Sequence, residues 1–168
     1  MKKIIVAISI LLLTACTNGN ALDKLKKDYP KTVKKEVEEL PKDVQNEIVV
    51  PKRLPFKVKY VSLDVQKNIG NDTINLTSIK YSDGKGVILE VTTFHKKNIE
   101  FSSDEQQLKI TKLKDGTKVI IERDEASPKI IRWKKDGHYH EIMLVKSPDV
   151  DKNYTIKDLV KTADSINE

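Results

Sequence analysis

KIIRWKKDGHYHEIMLVK, residues 129–146, consists of two β-like runs that meet at Asp136-Gly137. Asp-Gly between alternating runs is the strongest short-range signal for a β-hairpin, because both residues tolerate the positive φ angles of tight hairpin turns. The same dipeptide stands at 83–84 and 115–116, again between runs rich in β-branched residues. The sequence therefore predicts three hairpins and an antiparallel sheet.

The register of the last hairpin can be drawn in two ways. A two-residue turn at Asp136-Gly137 places Trp133 opposite His140. A three-residue turn with Gly137 in a left-handed bulge places Trp133 opposite Tyr139. We favour the second register, because it pairs two large aromatic side chains on one face, where cross-strand contacts stabilise a sheet most.

Alternating apolar residues extend the predicted sheet over residues 56–146, with about six or seven strands. The alternation changes phase near Tyr60, which predicts a bulge or bend at that point. The predicted strands occupy residues 56–65, 74–81, 87–94, 108–113, 119–121, 130–133 and 139–145.

Helical spacing of apolar residues flanks this sheet on both sides. Residues 31–49 predict two short amphipathic helices, with Pro30 in the first turn and Pro41 between the two. Residues 155–166 begin with Thr155-x-x-Asp158, a capping-box pattern, and continue with one apolar face. The predicted fold class is α+β, a twisted antiparallel sheet with N-terminal helices and a C-terminal helix packed on it.

The start of the chain has the layout of a secretory signal peptide. Two lysines precede an uncharged apolar run, residues 4–13, which is too short to cross a bilayer as a permanent helix. Residues 13–16, Leu-Thr-Ala-Cys, resemble the lipobox of bacterial lipoproteins. The resemblance implies diacylglyceryl transfer to the Cys16 thiol, cleavage between Ala15 and Cys16, and acylation, for example with palmitate, of the new amino group. The alternative is an ordinary signal peptide followed by a stray cysteine.

Composition limits what the remaining chain can be. Without residues 1–15, about 150 residues are left, enough for one modest domain. The net charge falls from +6 to +4, because two lysines leave with the signal. Lysines are interspersed with acids and not grouped with aromatics, so we expect no nucleic acid partner and favour anionic headgroups or wall polymers. With Cys16 lipidated, no thiol is left for a disulfide, zinc or catalysis.

The predicted organisation has three parts. Residues 1–15 are the signal peptide, residues 16–30 are the lipidated cysteine and a polar tether, and residues 31–168 are a single α+β domain. Within that domain we predict helices over 31–49, the sheet over 56–146 and the C-terminal helix over 155–166.

Three segments resemble domain of unknown function family 4367, found in lipoproteins and membrane-anchored proteins of Gram-positive spore-formers. They are residues 54–58 (LPFKV), the hairpin with Ile131, Trp133, Asp136-Gly137 and Tyr139, and residues 155–166 (TIKDLVKTADSI). The resemblance covers about residues 45–167. It implies a half-barrel-like curved sheet with helices on its concave side, similar to lipoprotein carriers and a periplasmic regulator of an anti-sigma factor. No catalytic residues belong to the family's pattern, so the resemblance assigns none.

The sequence contains few residues with recognisable chemistry. His138-x-His140 would place two imidazoles on one face of a strand, but no carboxylate or thiolate follows at a metal-site spacing. We therefore predict two surface histidines beside a turn, and no metal or other cofactor. The loop acids Asp104-Glu105 and Asp124-Glu125 are predicted to be solvated.

These features predict a non-catalytic binding or interaction lipoprotein on the extracytoplasmic face of the cell membrane. Its partner would be an apolar ligand held by the curved sheet or an envelope protein, and Trp133 and Tyr139 mark the candidate surface. One alternative is a structural or sensory accessory of a membrane or spore-envelope complex. Another, less favoured, is a hydrolase of envelope polymers that uses the loop carboxylates.

Overall fold

The computed structural model describes residues 18–96, 99, 109–166 and 168. The elements in chain order are α1 (Asn18–Asp28), a π-helical turn (Pro30–Lys34), α2 (Lys35–Glu38), α3 (Lys42–Glu47), β1 (Tyr60–Lys67), β2 (Ile74–Ser82), β3 (Val87–Phe94), β4 (Lys109–Lys112), β5 (Lys118–Asp124), β6 (Lys129–Lys135), β7 (His138–Lys146) and α4 (Ile156–Asp164). The strands form one antiparallel sheet in the order β1-β2-β3-β7-β6-β5-β4. The sheet is open and curved, and the predicted α+β fold class is confirmed.

The β6–β7 hairpin has the register that we did not favour. Asp136 and Gly137 have φ angles of 51° and 85°, so the turn has two residues and matches the twist of the strands. Trp133 therefore pairs with His140, and Tyr139 pairs with Lys134. The predicted pairing of Trp133 with Tyr139 is wrong, and the two aromatic side chains lie on opposite faces of the sheet.

The start of the sheet also differs from the prediction. Strand β1 begins at Tyr60 instead of residue 56, so the phase change near Tyr60 marks the start of the strand. Residues 56–59 precede the strand, although the backbone N–H of Lys59 still bonds Ser82 O and Phe56 and Val58 pack against the core. The register irregularities are elsewhere, between Gln66 and Lys67 and between Ile121 and Arg123.

The N-terminal region contains a helix where we predicted a tether over residues 16–30. Helix α1 covers Asn18–Asp28, and Leu22 in it is 6 % exposed. The reason is an apolar spacing of three and four residues, from Leu22 through Leu25 and Tyr29, that leads into buried Val33. The amphipathic stripe of the predicted 31–49 helices therefore begins earlier in the chain.

The predicted helices over residues 31–49 are present in shortened form. The π-helical turn starts at Pro30, and Pro41 separates α2 from α3, because proline cannot donate a helical hydrogen bond in the interior of a helix. Val33, Val37 and Ile48 from this region are buried in the core.

Helix α4 forms the predicted C-terminal end of the core. The Asp158 carboxylate accepts a hydrogen bond of 2.8 Å from the backbone N–H of Thr155, and the Thr155 side chain faces the backbone N–H of Asp158 in return, which confirms the capping box. Leu159 and Ala163 are buried on the apolar face, and the helix contacts β6 and β7. At its end, the Asp164 carboxylate accepts a hydrogen bond of 2.8 Å from the backbone N–H of Lys114.

One face of the sheet is covered by the helices and carries two apolar rows of cross-strand neighbours. The first row consists of Leu63, Ile79, Val91, Ile142 and Ile131, and the second of Val61, Tyr81, Leu89 and Leu144. These residues share one hydrophobic core with buried side chains from Leu22 to Ile166. The opposite face carries polar pairs, including the ion pair of Lys80 with Asp64.

Tyr81 in this core should tolerate loss of its hydroxyl group. The residue is 2 % exposed, burial raises the pKa of its hydroxyl, and that oxygen has no hydrogen-bond partner among the described residues. An unpaired buried polar group is destabilising, so Tyr81→Phe should raise the free energy of unfolding in urea by about 1 kcal/mol. Tyr60→Phe is the control: Tyr60 is 56 % exposed and should show no change. A fall in the free energy of unfolding on Tyr81→Phe would contradict this prediction and would mean that the hydroxyl has a hydrogen-bond partner.

Candidate functional site

The helix-covered face becomes polar toward one end of the sheet. Beyond the two apolar rows, the next row runs across three strands through Thr77, Thr93 and His140 before it reaches Trp133. All four side chains are buried. Buried polar groups need hydrogen-bond partners, and the partners of the hydroxyl groups in this row are imidazole rings.

The cluster centres on Glu47, the last residue of α3, and His95, the first residue after β3. His95 Nδ1 lies 2.7 Å from Glu47 Oε2, and His95 Nε2 lies 3.0 Å from the Thr77 hydroxyl. Because a carboxylate only accepts, Nδ1 carries the proton and Nε2 can accept the hydrogen bond from Thr77. The His95 side chain is 4 % exposed, so this chain of contacts is internal.

The other two histidines of the chain join the same cluster. His138 Nε2 is 3.4 Å from Glu47 Oε1, and His138 Nδ1 is 3.4 Å from the backbone oxygen of Phe94. Both neighbours are acceptors, so only a doubly protonated imidazole could donate to both. His140 Nδ1 is 3.4 Å from the Thr93 hydroxyl, and its ring centroid is 5.4 Å from that of Trp133.

The environment keeps two of these imidazoles neutral. The pKa of His140 is lowered to about 4, first by burial and then by the proximity of His138, His95 and Lys135, whose cationic forms would oppose a charge on His140. Burial also lowers the pKa of His95, although the hydrogen bond to Glu47 acts in the opposite direction. Desolvation therefore outweighs the attraction of the carboxylate.

A cavity of about 200 Å³ opens beside this cluster, between α3, the β6–β7 hairpin and the end of the chain after α4. Trp133, Val49 and Ile166 form its apolar wall. Its polar lining consists of Asn46, Glu47, Lys135, Asp136, His138 and His140. The cavity therefore offers charged groups of both signs together with neutral donors and acceptors.

The order hydroxyl, imidazole, carboxylate in Thr77, His95 and Glu47 is that of a nucleophilic triad. A nucleophile must be reached by its substrate, but Thr77 is 2 % exposed and does not line the cavity. We therefore interpret these three residues as an internal hydrogen-bond network that joins α3 to the sheet.

The predicted site residues are distributed as follows. Trp133 is 3 % exposed and belongs to the core, whereas Tyr139 is half-buried on the opposite face, so they do not form one surface. His138 and His140 are 8 % and 4 % exposed, and the prediction of two surface histidines is wrong, because the two-residue turn directs both onto the helix-covered face. Ala15 and Cys16 lie outside the described residues.

Of the loop acids, Asp124 and Glu125 lie within the described residues. Asp104 and Glu105 lie outside the described residues. Asp124 makes an ion pair with Lys129 at 2.7 Å, and Glu125 is exposed beside it. Asp124 is therefore engaged in a salt bridge with the first residue of β6.

Sequence reasoning missed Glu47 and His95 as members of the site. Each is an isolated polar residue near the end of an element, and they are separated by 48 positions along the chain. The one available signal was the alternation of His138 and His140 on a strand, which shows a shared face but not which face.

Across the described residues, no three His, Cys, Asp or Glu side chains are arranged to hold a metal ion. None of the helices in the described ranges has the length and apolar character needed to span a membrane. Comparison of the chain with protein-family models, curated proteins and solved structures finds no match. The resemblance to family 4367 therefore stays a prediction.

Proposed function

We propose that this protein is a bacterial lipoprotein, held by lipidated Cys16 on the extracytoplasmic face of the cell membrane, whose domain is a non-catalytic binding module. The anchor is supported by the sequence Leu-Thr-Ala-Cys at residues 13–16 after a signal-like apolar run. Two or more acyl chains give firm attachment, since each buried methylene contributes about 0.8 kcal/mol.

The binding role is supported by one observation, the cavity beside the histidine cluster. A concave site with converging polar groups and a shifted pKa is the usual character of a binding site. At about 200 Å³, it is smaller than the roughly 300–1,000 Å³ of clefts that enclose a whole ligand. Its charged lining disfavours an acyl chain. We propose that its occupant is one polar side chain or chain end of an envelope protein.

A sensory accessory is the second candidate, because acid would charge the buried His95 imidazole that contacts Glu47. Such a domain would report acidification of the envelope to a membrane partner through α3, the element that carries Glu47. This candidate predicts that binding at the cavity changes between pH 7 and pH 5, whereas a simple docking module predicts a constant affinity.

Lipidation is tested by mass spectrometry of the full chain purified from bacterial membranes. The expected mass is that of the chain from Cys16 onward carrying a diacylglyceryl group and an acyl group. Cys16→Ala should give an unprocessed, unlipidated protein. An unmodified Cys16 in the wild-type protein would contradict the proposed anchor.

The binding role is tested by photo-crosslinking in intact cells. Asn46 at the rim of the cavity is exposed, and p-benzoylphenylalanine at this position should form one discrete protein adduct. The same photoreactive residue at Ile69, an exposed turn position, should not form it. The adduct should be lost with Glu47→Gln. Adducts of equal pattern from both positions would contradict a binding site at the cavity.

A further inference from the structure

Helix α1 is fixed to the core very close to the predicted lipid. It begins at Asn18, two residues after Cys16, and Leu22 within it is 6 % exposed. Two residues span at most about 7 Å. If Cys16 carries lipids in the bilayer, the start of α1 must lie at the level of the headgroups. This step rests on the lipid anchor of the proposed function.

The net charge of the lipoprotein is concentrated in the same segment. Residues 18–35 contain six lysines and two aspartates, whereas residues 36–168 contain 23 basic and 23 acidic residues. The whole excess of +4 that remains after removal of the signal therefore lies directly behind the anchor. Four of the six lysines are exposed and form no ion pair with any described residue: Lys24, Lys27, Lys31 and Lys35.

An apolar hollow of about 420 Å³ adjoins this basic segment. Tyr29, which follows α1, lines it together with Tyr60 and Ile88 from the sheet, and Lys59 and Lys80 lie at its border. Tyr60 is 56 % exposed and Ile88 is 44 % exposed. Tyrosine and lysine around exposed apolar surface are typical of the boundary between water and lipid.

We infer that the surface formed by α1, residues 29–35 and the Tyr60–Ile88 hollow, here called the basal face, lies on an anionic phospholipid bilayer. Three independent features agree on this occupant: the two-residue distance to Cys16, the uncompensated lysines, and the exposed Tyr60 and Ile88. Basic segments beside a membrane are attracted to anionic headgroups within about one Debye length. Docking would hold the domain in one orientation, with the β4 edge of the sheet away from the bilayer.

The test uses the intact lipidated protein in vesicles and follows its orientation. Cys16 is the only cysteine, so an introduced thiol is the single labelling site once Cys16 is lipidated. Lys59→Cys places a fluorophore on the basal face, and Lys112→Cys, at an exposed position of β4, is the matched control. Vesicles contain a nitroxide-labelled lipid as quencher, in phosphatidylcholine alone or mixed with phosphatidylglycerol.

Quenching at position 59 should exceed that at position 112 several-fold in the phosphatidylglycerol vesicles. The difference should shrink in phosphatidylcholine, at high salt, and when Lys24, Lys27, Lys31 and Lys35 are all changed to glutamine. The urea unfolding midpoint of this variant should match the wild type, because all four side chains are exposed. Equal quenching at the two positions would overturn the inference. A difference that stays the same when the lipid charge or the salt concentration is changed, and in the glutamine variant, would also overturn it.

Failure of the anchor gives a different result. If mass spectrometry shows Cys16 unmodified, the same protein is tested by co-flotation with the two kinds of vesicle. Salt-sensitive flotation only with phosphatidylglycerol vesicles would support the basal face without the anchor. Absence of flotation would overturn it.

Discussion

Replacement of Trp133 by alanine should lower the free energy of unfolding by about 3–5 kcal/mol, the usual cost of truncating a large buried aromatic. Trp133 is 3 % exposed, stacks at a tilt on the His140 ring, and pairs with Val119 on the neighbouring strand β5. The cost combines lost transfer free energy with the cavity that remains. Urea denaturation followed by circular dichroism measures it without relying on tryptophan fluorescence.

Tyr139→Ala is the matched control for this prediction. Tyr139 is half-buried on the other face, where Lys134 Nζ lies 5.2 Å from its ring centroid, so its loss should cost about 1 kcal/mol. If the two residues formed one exposed ligand surface, as the sequence suggested, both substitutions would have small and similar effects on stability. That result would contradict the hairpin register of the structure.

Acidification from pH 7 to pH 5 should destabilise the protein, with His140 contributing about 2 kcal/mol. The pKa of His140 is lowered to about 4 in the folded state, against about 6.5 in the unfolded chain. Below pH 6.5 the unfolded state therefore binds a proton at His140 that the folded state does not bind. Stability is lost as the pH falls from 6.5 to 4, and below about pH 4 the loss from this group is complete.

The surroundings of His140 favour the same direction of its pKa shift. Thr93 and Trp133 provide no negative charge, His138, His95 and Lys135 act against a further positive charge, and Glu47 contacts the other two imidazoles. The lowered pKa of His95 acts in the same direction, although the carboxylates of Glu47 and Asp43 moderate it. Hydrogen bonds lower the pKa of the exposed carboxyl groups of Asp115 and Glu168, so their contribution to stability is lost mainly below about pH 5.

His140→Gln should flatten the dependence of stability on pH. Glutamine can still bond the Thr93 hydroxyl but does not titrate, so the loss between pH 7 and pH 5 should fall by about 2 kcal/mol relative to the wild type. His95→Gln should remove a further part of the slope. Urea midpoints at pH 7, 6 and 5 measure both. Parallel profiles for the wild type and His140→Gln would contradict a depressed pKa at His140.

The local parts of the fold follow directly from the sequence. Asp-Gly at 83–84, 115–116 and 136–137 marks three of the hairpin turns, and Thr155-x-x-Asp158 marks the start of α4. These signals are reliable because turn and cap residues satisfy backbone requirements within a few positions. The apolar spacing around Val33 and Val37 likewise predicts a buried helical face before any tertiary contact is known.

The candidate site was not predictable in this way. From the sequence, the choice between two hairpin registers depended on a preference for aromatic pairing. In the structure, Asp136 and Gly137 both have positive φ angles and form the two-residue turn. That difference of one residue moves every side chain of β7 to the other face. It directs His138 and His140 inward and separates Trp133 from Tyr139.

By itself, the sequence determined most of the strands, the hairpin turns and the cap of α4, because each depends on neighbours in the chain. Only the tertiary structure decided that α1 belongs to the core and that Glu47, His95, His138 and His140 form one cluster beside a cavity. The physical reason is that burial and electrostatics depend on proximity in space. Glu47 and His95 are 48 residues apart, and no local pattern in the chain records their contact.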